Sequence, residues 1–453
     1  MDAESTSAPM ESAPQMPPPV TLSPIKPDAV LLDHFRRRVW PQLAQLDSVS
    51  GTSDRSSYPS EDIIERTASV FRPCYHALMA VAATCLAHQN GVQRLDALQH
   101  YQQVPIALQM EIRSAEDVSS DGAFLTHYLL LVYEIVSAEM GGANLWSQHL
   151  NQLNKFTLLR QDTLGGERFP FITWWTFQID LYALLSGSGP GDYVENMLKN
   201  DIVPLPSYHL APLGPDGMSL IYPEEADTLP LLLQLNYEVV MLAARLGLLA
   251  KELRIGTSIT TFAGPSALRV DTCIRNRRIF EIQEALRRMW TAPNILHIQQ
   301  SADLLPPRPK RLLEHANALF RACIIYSHTS MWPGQRIDTG QQYDTEIAIS
   351  VQEILQIAEA IVSSGRLELR FIIFPLFMAG IATGSGPEKM MALDLMMTME
   401  KESIGTNTTA TRQLLQTIYE RQNQRFMSVG HSLDVCWKDV MLENDVQLFN
   451  FGL

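Results

Sequence analysis

Residues 174–206, WWTFQIDLYALLSGSGPGDYVENMLKNDIVPLP, decide how the rest of the chain is read. From Trp174 to Leu185 the stretch is apolar on nearly every side, with Asp180 the one acid inside it. A helix without a polar face has to be buried, inside a large core or a membrane. The segment GSGPGD at 187–192 then ends the helix, because glycine tolerates the left-handed turn that follows a helix and proline cannot continue one. A polar segment follows and closes on a Pro204-Leu205-Pro206 turn. One buried helix at the centre calls for other helices around it.

Those helices are legible on both sides. Upstream, Val70–His88 places Phe71, Tyr75, Leu78, Ala82 and Cys85 on one side, with Pro73 in a first turn. Val92–Arg113 is a second amphipathic helix, with Pro105 predicted to kink it. Asp121 is the predicted N-cap of a very apolar core helix, AFLTHYLLLVYEIV, and Leu145–Arg160 is amphipathic. Residues 187–227 read as a long irregular connection. Downstream, helices are predicted over Leu229–Ile255, Ser266–Trp290, Lys310–Met331, Thr345–Ser363, Leu367–Thr383, Glu388–Lys401, Thr408–Val429 and Ser432–Glu443. No βαβ series and no repeat of fixed period appear. The predicted fold is all-α: a large irregular array of antiparallel helix pairs.

Three segments are predicted. Residues 1–28 hold seven prolines among Ser, Ala and Met, too few apolar groups to offset ordering entropy, and are expected to be disordered. Residues 29–60 are a short amphipathic helix and a linker, and residues 61–445 the helical body. The net charge of −14 disfavours stand-alone binding to phosphates. The five cysteines are scattered, with no Cys-x-x-Cys spacing, so no zinc site or other cofactor is expected. The apolar run Phe371–Ala382 is too short to cross a bilayer, and no apolar signal region opens the sequence, so the chain is expected to be soluble, with no membrane partner.

The order of the central block resembles the middle homology region of fungal zinc-cluster transcription factors. The matching positions are Trp174, Trp175, Asp180, Gly187, Gly189, Pro190, Asp201, Ile202, Pro204, Leu205 and Pro206. FRPCYHALMAVAATCLA, LQHYQQVPIALQMEIRS, FLTHYLLLVYEIV, FIIFPLFMAGIAT and VCWKDVMLE resemble other segments of that region, in the same order. The resemblance implies a helical regulatory domain of a nuclear protein that controls transcription of RNA polymerase II genes. It implies a protein partner or homodimerisation, and leaves room for a small-molecule effector. Two departures stand out. Ser188 and Gly189 occupy the place where the family often has an arginine, and no six-cysteine binuclear zinc cluster precedes the body. DNA contact is therefore expected only through an N-terminal module absent from this sequence or through a partner.

Other motifs carry a functional and a plainer reading. Trp174, Trp175 and Asp180 are candidate effector-pocket residues, with core packing and a backbone hydrogen bond as the competing reading. The cations of PPRPKR, Arg308, Lys310 and Arg311, are a candidate nuclear-import segment, competing with a solvated helix start. Arg275, Arg277, Arg278, Arg287 and Arg288 form a basic helix face for an acid on this chain or a partner. Ser432 is read as a helix N-cap, since GHSLD lacks the second glycine of a nucleophile elbow. His127 and His149 fall on apolar helices and are read as core histidines. No catalytic signature emerges, so the chain is not expected to be an enzyme. An all-α enzyme or binding protein for an apolar metabolite, and a helical interaction scaffold, remain as alternatives.

Overall fold

The computed structural model describes residues 28–44, 59–91, 95–138, 145–164, 169–204, 224–259, 265–331, 341–366, 369–430 and 435–444, with Val446, Leu448 and Phe451. The proline-rich segment predicted to be disordered lies outside the described residues except for Asp28, as do Leu205, Pro206 and Ser432.

The described residues form helices and no strand. In the first half, α1 (Asp28–His34) runs through a π-helical turn (Phe35–Val39) into α2 (Trp40–Ala44). There follow α3 (Pro59–Val70), α4 (Arg72–Asn90), α5 (Leu95–Glu111), α6 (Ala115–Val118), α7 (Asp121–Ser137), α8 (Trp146–Leu164), α9 (Pro170–Ser186) and α10 (Asp192–Lys199). The second half holds α11 (Glu225–Ile259), α12 (Pro265–Trp290), α13 (Pro293–Gln300), α14 (Pro307–Thr329) and α15 (Gln341–Ser363). It ends with α16 (Leu369–Ala382), α17 (Gly386–Glu400), α18 (Asn407–Val429) and α19 (Trp437–Glu443).

Packing follows the apolar faces. Helix α4 pairs with α5 and α7, and α7 with α8; α14 sits among α11, α15 and α16. One connected apolar core runs from Leu31 to Phe451 and joins the two halves through α9. The N-terminal helix belongs to it: Leu31, Phe35, Val39, Trp40 and Leu43 are all buried. These residues are mostly four apart, which drifts off one face of an α-helix. The wider π turn between Phe35 and Val39 corrects that drift and keeps them in line. Gln42 and Arg38 tie the same segment to Glu402 at the far end of the chain.

Several sequence expectations are corrected. Helix α7 is capped by Ser120, whose Oγ accepts the Ala123 N–H; Asp121 is the first helical residue and instead receives a 2.8 Å hydrogen bond from Arg160. Ser precedes Asp here, and either residue type can cap. The connection expected to be irregular over 187–227 contains a helix, α10, with Tyr193, Val194 and Met197 buried. Its two turns are too short for periodicity to declare. The last described helix starts at Trp437, with Cys436 as its N-cap. Helix α5 contains Pro105, as expected, and α13 is a helix outside the predicted ones. Helix α11 is long and apolar enough to span a bilayer by length and composition, and 56% of its apolar stretch is buried in this core.

Candidate functional site

Helix α9 is buried from Phe171 to Ser186. The two tryptophans are adjacent, so they point about 100° apart around the helix. The Trp174 ring stacks on Tyr237 of α11 with 6.0 Å between centroids, and on Phe177 at 6.1 Å. Trp175 meets Trp40 of the N-terminal helix edge to face at 6.4 Å, and Phe171 at 5.0 Å. Each ring thus joins α9 to a different sequence-distant helix. Such offset and edge contacts add about 0.5–1.5 kcal/mol each beyond burial.

Asp180 is fully buried, and its Oδ2 accepts the backbone N–H of Val194 at 3.0 Å. Gly191 is the N-cap of α10 and has no side chain to offer, so an acid on the preceding helix does the capping. Burial raises the Asp180 carboxyl to about 7, against the lowering effect of the backbone N–H groups. Lys251 of α11 holds the same small helix from outside, 3.2 Å from Glu195 and 3.6 Å from Asp192.

The C-terminus of α9 is where the chain converges. Gly187 sits at φ +85°, in the left-handed region, and returns its N–H to Ala183 and Leu184. Gly189 follows with its N–H on Ala183 O; a methyl there would stand 2.8 Å from Ala183 Cβ and from the Trp146 ring. Where the family often places an arginine in this turn, Arg254 arrives from α11 and donates to Leu184 O at 3.4 Å. Tyr326 of α14 donates to Leu185 O at 2.9 Å and accepts from Lys438 of α19 at 2.6 Å. Ser186 donates to Leu448 O at 2.9 Å. Two terminal carbonyls of α9 thus receive donors from α11 and α14, Ser186 ties the helix to the C-terminal segment, and the two cations suit the negative end of the helix dipole. Burial, and then Arg254, push the Lys438 ammonium down to about 7. Trp437 beside it donates to Ser330 at 2.9 Å and packs on Phe377.

A second polar cluster joins α12, α14 and α15. Arg287 grips Glu346 with two hydrogen bonds of 2.9 and 2.8 Å, and His328 Nε2 lies 2.9 Å from the same carboxylate. Burial works against the Glu346 charge, but Arg287 and His328 outweigh it and hold the acid at about 2.

The basic face of α12 finds acids on this chain: Arg277 with Glu281, Arg278 with Glu252, and Arg287 with Glu346. Arg308, Lys310 and Arg311 lie in the first turn of α14. Arg308 Nε is 3.8 Å from the buried Glu225, Lys310 is 3.5 Å from Asp303, and Arg311 donates to Pro307 O. Glu225 and Asp303 offset Arg308 and Lys310 at the positive end of the helix. His127 is half-buried beside His149, and burial first, then His149, lowers it to about 4. Among the described residues no group of three His, Cys, Asp or Glu has the geometry of a metal site.

Sequence reasoning did not single out Arg254, Tyr326, Lys438, Glu346 or the fully buried Arg160. Each has its partner tens to hundreds of positions away. The only available signal was their presence on otherwise buried faces.

No curated protein and no solved structure matches the chain. The family described as fungal specific transcription factor domain matches residues 30–451, which is nearly the whole helical core from Leu31 to Phe451. A match of that extent, on an all-helical body whose Trp-Trp-Asp helix lies at its centre, places this chain in the fungal-specific transcription factor domain family.

Proposed function

We propose that the chain is the regulatory body of a fungal transcription factor acting in the nucleus on RNA polymerase II genes. The observation that carries the proposal is the family match over residues 30–451. The centre of the body supports it. The conspicuous acids and bases work as caps and braces: Asp180 for α10, Lys438 and Arg254 for the end of α9, Glu346 for Arg287. Such groups transmit a shift of one helix to its neighbours and suit a protein that changes arrangement. In this reading the chain is not an enzyme.

The sequence contains five cysteines, one fewer than a binuclear zinc cluster needs. Contact with DNA then comes from a partner or from a segment outside this sequence. Arg308, Lys310 and Arg311 remain the proposed import segment. Trp174, Trp175 and Asp180 are proposed to act by holding the body together and not by touching an effector.

The test has two arms. Fused to an unrelated DNA-binding module, the chain is expected to change expression of a reporter carrying that module's site. The purified chain alone is expected to show no salt-sensitive, sequence-specific DNA binding. A fusion that leaves the reporter unchanged and stays outside nuclei under all growth conditions overturns the regulatory reading. A specific nanomolar complex with the isolated chain overturns the account of DNA contact.

A further inference from the structure

Two histidines meet where α4 packs on α5. His76 of α4 and His100 of α5 bring their Nδ1 atoms to 3.2 Å. The ring centroids are 5.5 Å apart, and Tyr75 lies edge to face against both rings. Both imidazoles are half-buried: packing holds them in place, and small ions still reach them.

The separation is that of two ligands on one ion. Zn–N bonds of about 2.0–2.1 Å at a tetrahedral angle put two imidazole nitrogens about 3.3–3.4 Å apart. The pair stands within about 0.2 Å of that with no helix displaced. Without an ion, the contact is one N–H···N hydrogen bond, so one Nδ1 carries a proton and the other is bare. Asp28 of α1 decides which. Its Oδ2 accepts from Tyr75, and its Oδ1 lies 4.0 Å from Nε2 of His100. A carboxylate on that side favours the proton on Nε2 and leaves the Nδ1 lone pair of His100 bare. Metal-binding histidines are commonly oriented by a carboxylate in this way. His76 then moves its own proton from Nδ1 to Nε2 through solvent, so coordination changes a tautomer and releases no proton. Burial lowers both histidines from their usual value. His100 and Arg72 add to this at His76; Asp28 opposes it at both rings, joined by Asp96 at His100. Neutral imidazole is the form that binds metal.

We propose that His76 and His100 bind one divalent cation that prefers imidazole, zinc above all, with Asp28 as a positioning residue and water in the remaining places. An occupied site clamps α4 to α5. Two protein ligands make a weaker site than three, and no three-residue group is present among the described residues, so the expected affinity is micromolar. The site stands apart from the regulatory reading and does not depend on it.

Zinc alone is the probe. The full chain carrying Cys273→Ser, which removes the exposed thiol, is titrated with Zn²⁺ by calorimetry. One ion per chain is expected, and His76→Gln or His100→Gln should each weaken binding roughly tenfold or more. Asp28→Asn should weaken zinc binding while leaving the metal-free thermal melt unchanged. Mg²⁺, which takes oxygen ligands, should give no binding heat. The metal-free melts of the histidine variants show that they fold. A second measurement needs no variant: with less than one equivalent of Cu²⁺, electron paramagnetic resonance should show coupling to two imidazole nitrogens. No saturable zinc binding overturns the proposal. So does zinc binding indifferent to both histidine substitutions, Mg²⁺ binding as well as Zn²⁺, or a copper spectrum without two imidazole nitrogens. Unchanged zinc affinity in Asp28→Asn overturns the role given to Asp28.

Discussion

Replacing Asp180 with Asn should make the protein more stable at neutral and alkaline pH, although Asp180 lies in the sequence signature of the fold. The side chain is fully buried; Oδ2 caps α10 through Val194 N–H, and burial raises the carboxyl to about 7. In the unfolded chain the same acid titrates near 3.9. Between these values the folded state holds a proton that the unfolded state has lost. Stability therefore falls as pH rises through that window and levels off above about 7. A separation of roughly 3 pH units at about 1.4 kcal/mol each gives a penalty of up to ~4 kcal/mol once the acid is ionised. Asn keeps an oxygen for Val194 N–H and never ionises. Urea melts followed by circular dichroism at pH 4, 6 and 8 measure the difference between wild type and variant. The two should agree within about 1 kcal/mol at pH 4, and the variant should lead by up to ~4 kcal/mol at pH 8. Asp180→Ala separates cap from charge: at pH 4 it loses the hydrogen bond to Val194 and should cost about 1–3 kcal/mol. A difference between wild type and Asp180→Asn that is constant across pH, or that favours wild type at pH 8, refutes the reasoning.

Three further outcomes are expected. Burial and Arg254 lower Lys438 to about 7 in the fold against ~10.4 when unfolded, so its part of the stability rises with pH between those values; Lys438→Met should remove that rise in urea melts at pH 7 and 9. Glu346, held at about 2 by Arg287 and His328, contributes stability that is present above its unfolded value near 4.3 and lost as pH falls toward 2; Glu346→Gln should cost about 2–4 kcal/mol at pH 7 and much less at pH 2–3, read from the same melts. Gly189→Ala drives a methyl into Ala183 and Trp146, and thermal unfolding should show a loss of about 1–3 kcal/mol.

Long apolar patterns were readable because burial leaves a periodic trace along the chain. Helices α4, α7, α9, α14 and α16 were all expected within a few residues of where they lie. Capping was less readable. Ser120 and Asp121 are adjacent and both suited to the role, and only the position of Arg160 shows what Asp121 does instead. Short α10 was lost in a Gly- and Pro-rich stretch because its cap, Asp180, belongs to the previous helix. Tyr326 and Lys438 are 112 positions apart, and each looks like an ordinary residue until the two meet at Leu185.

The sequence by itself determined the helical class, the central burial of the Trp-Trp-Asp segment and the family resemblance, since all three rest on local order and periodicity. The tertiary structure alone decided what the polar residues do: which acid caps which helix, which cations close the end of α9, and how the N-terminal helix joins the core through Trp40 and Trp175. The reason is physical. Apolar burial is non-directional and can be read one helix at a time, whereas a buried polar group is satisfied by one partner at one distance, and the fold chooses that partner.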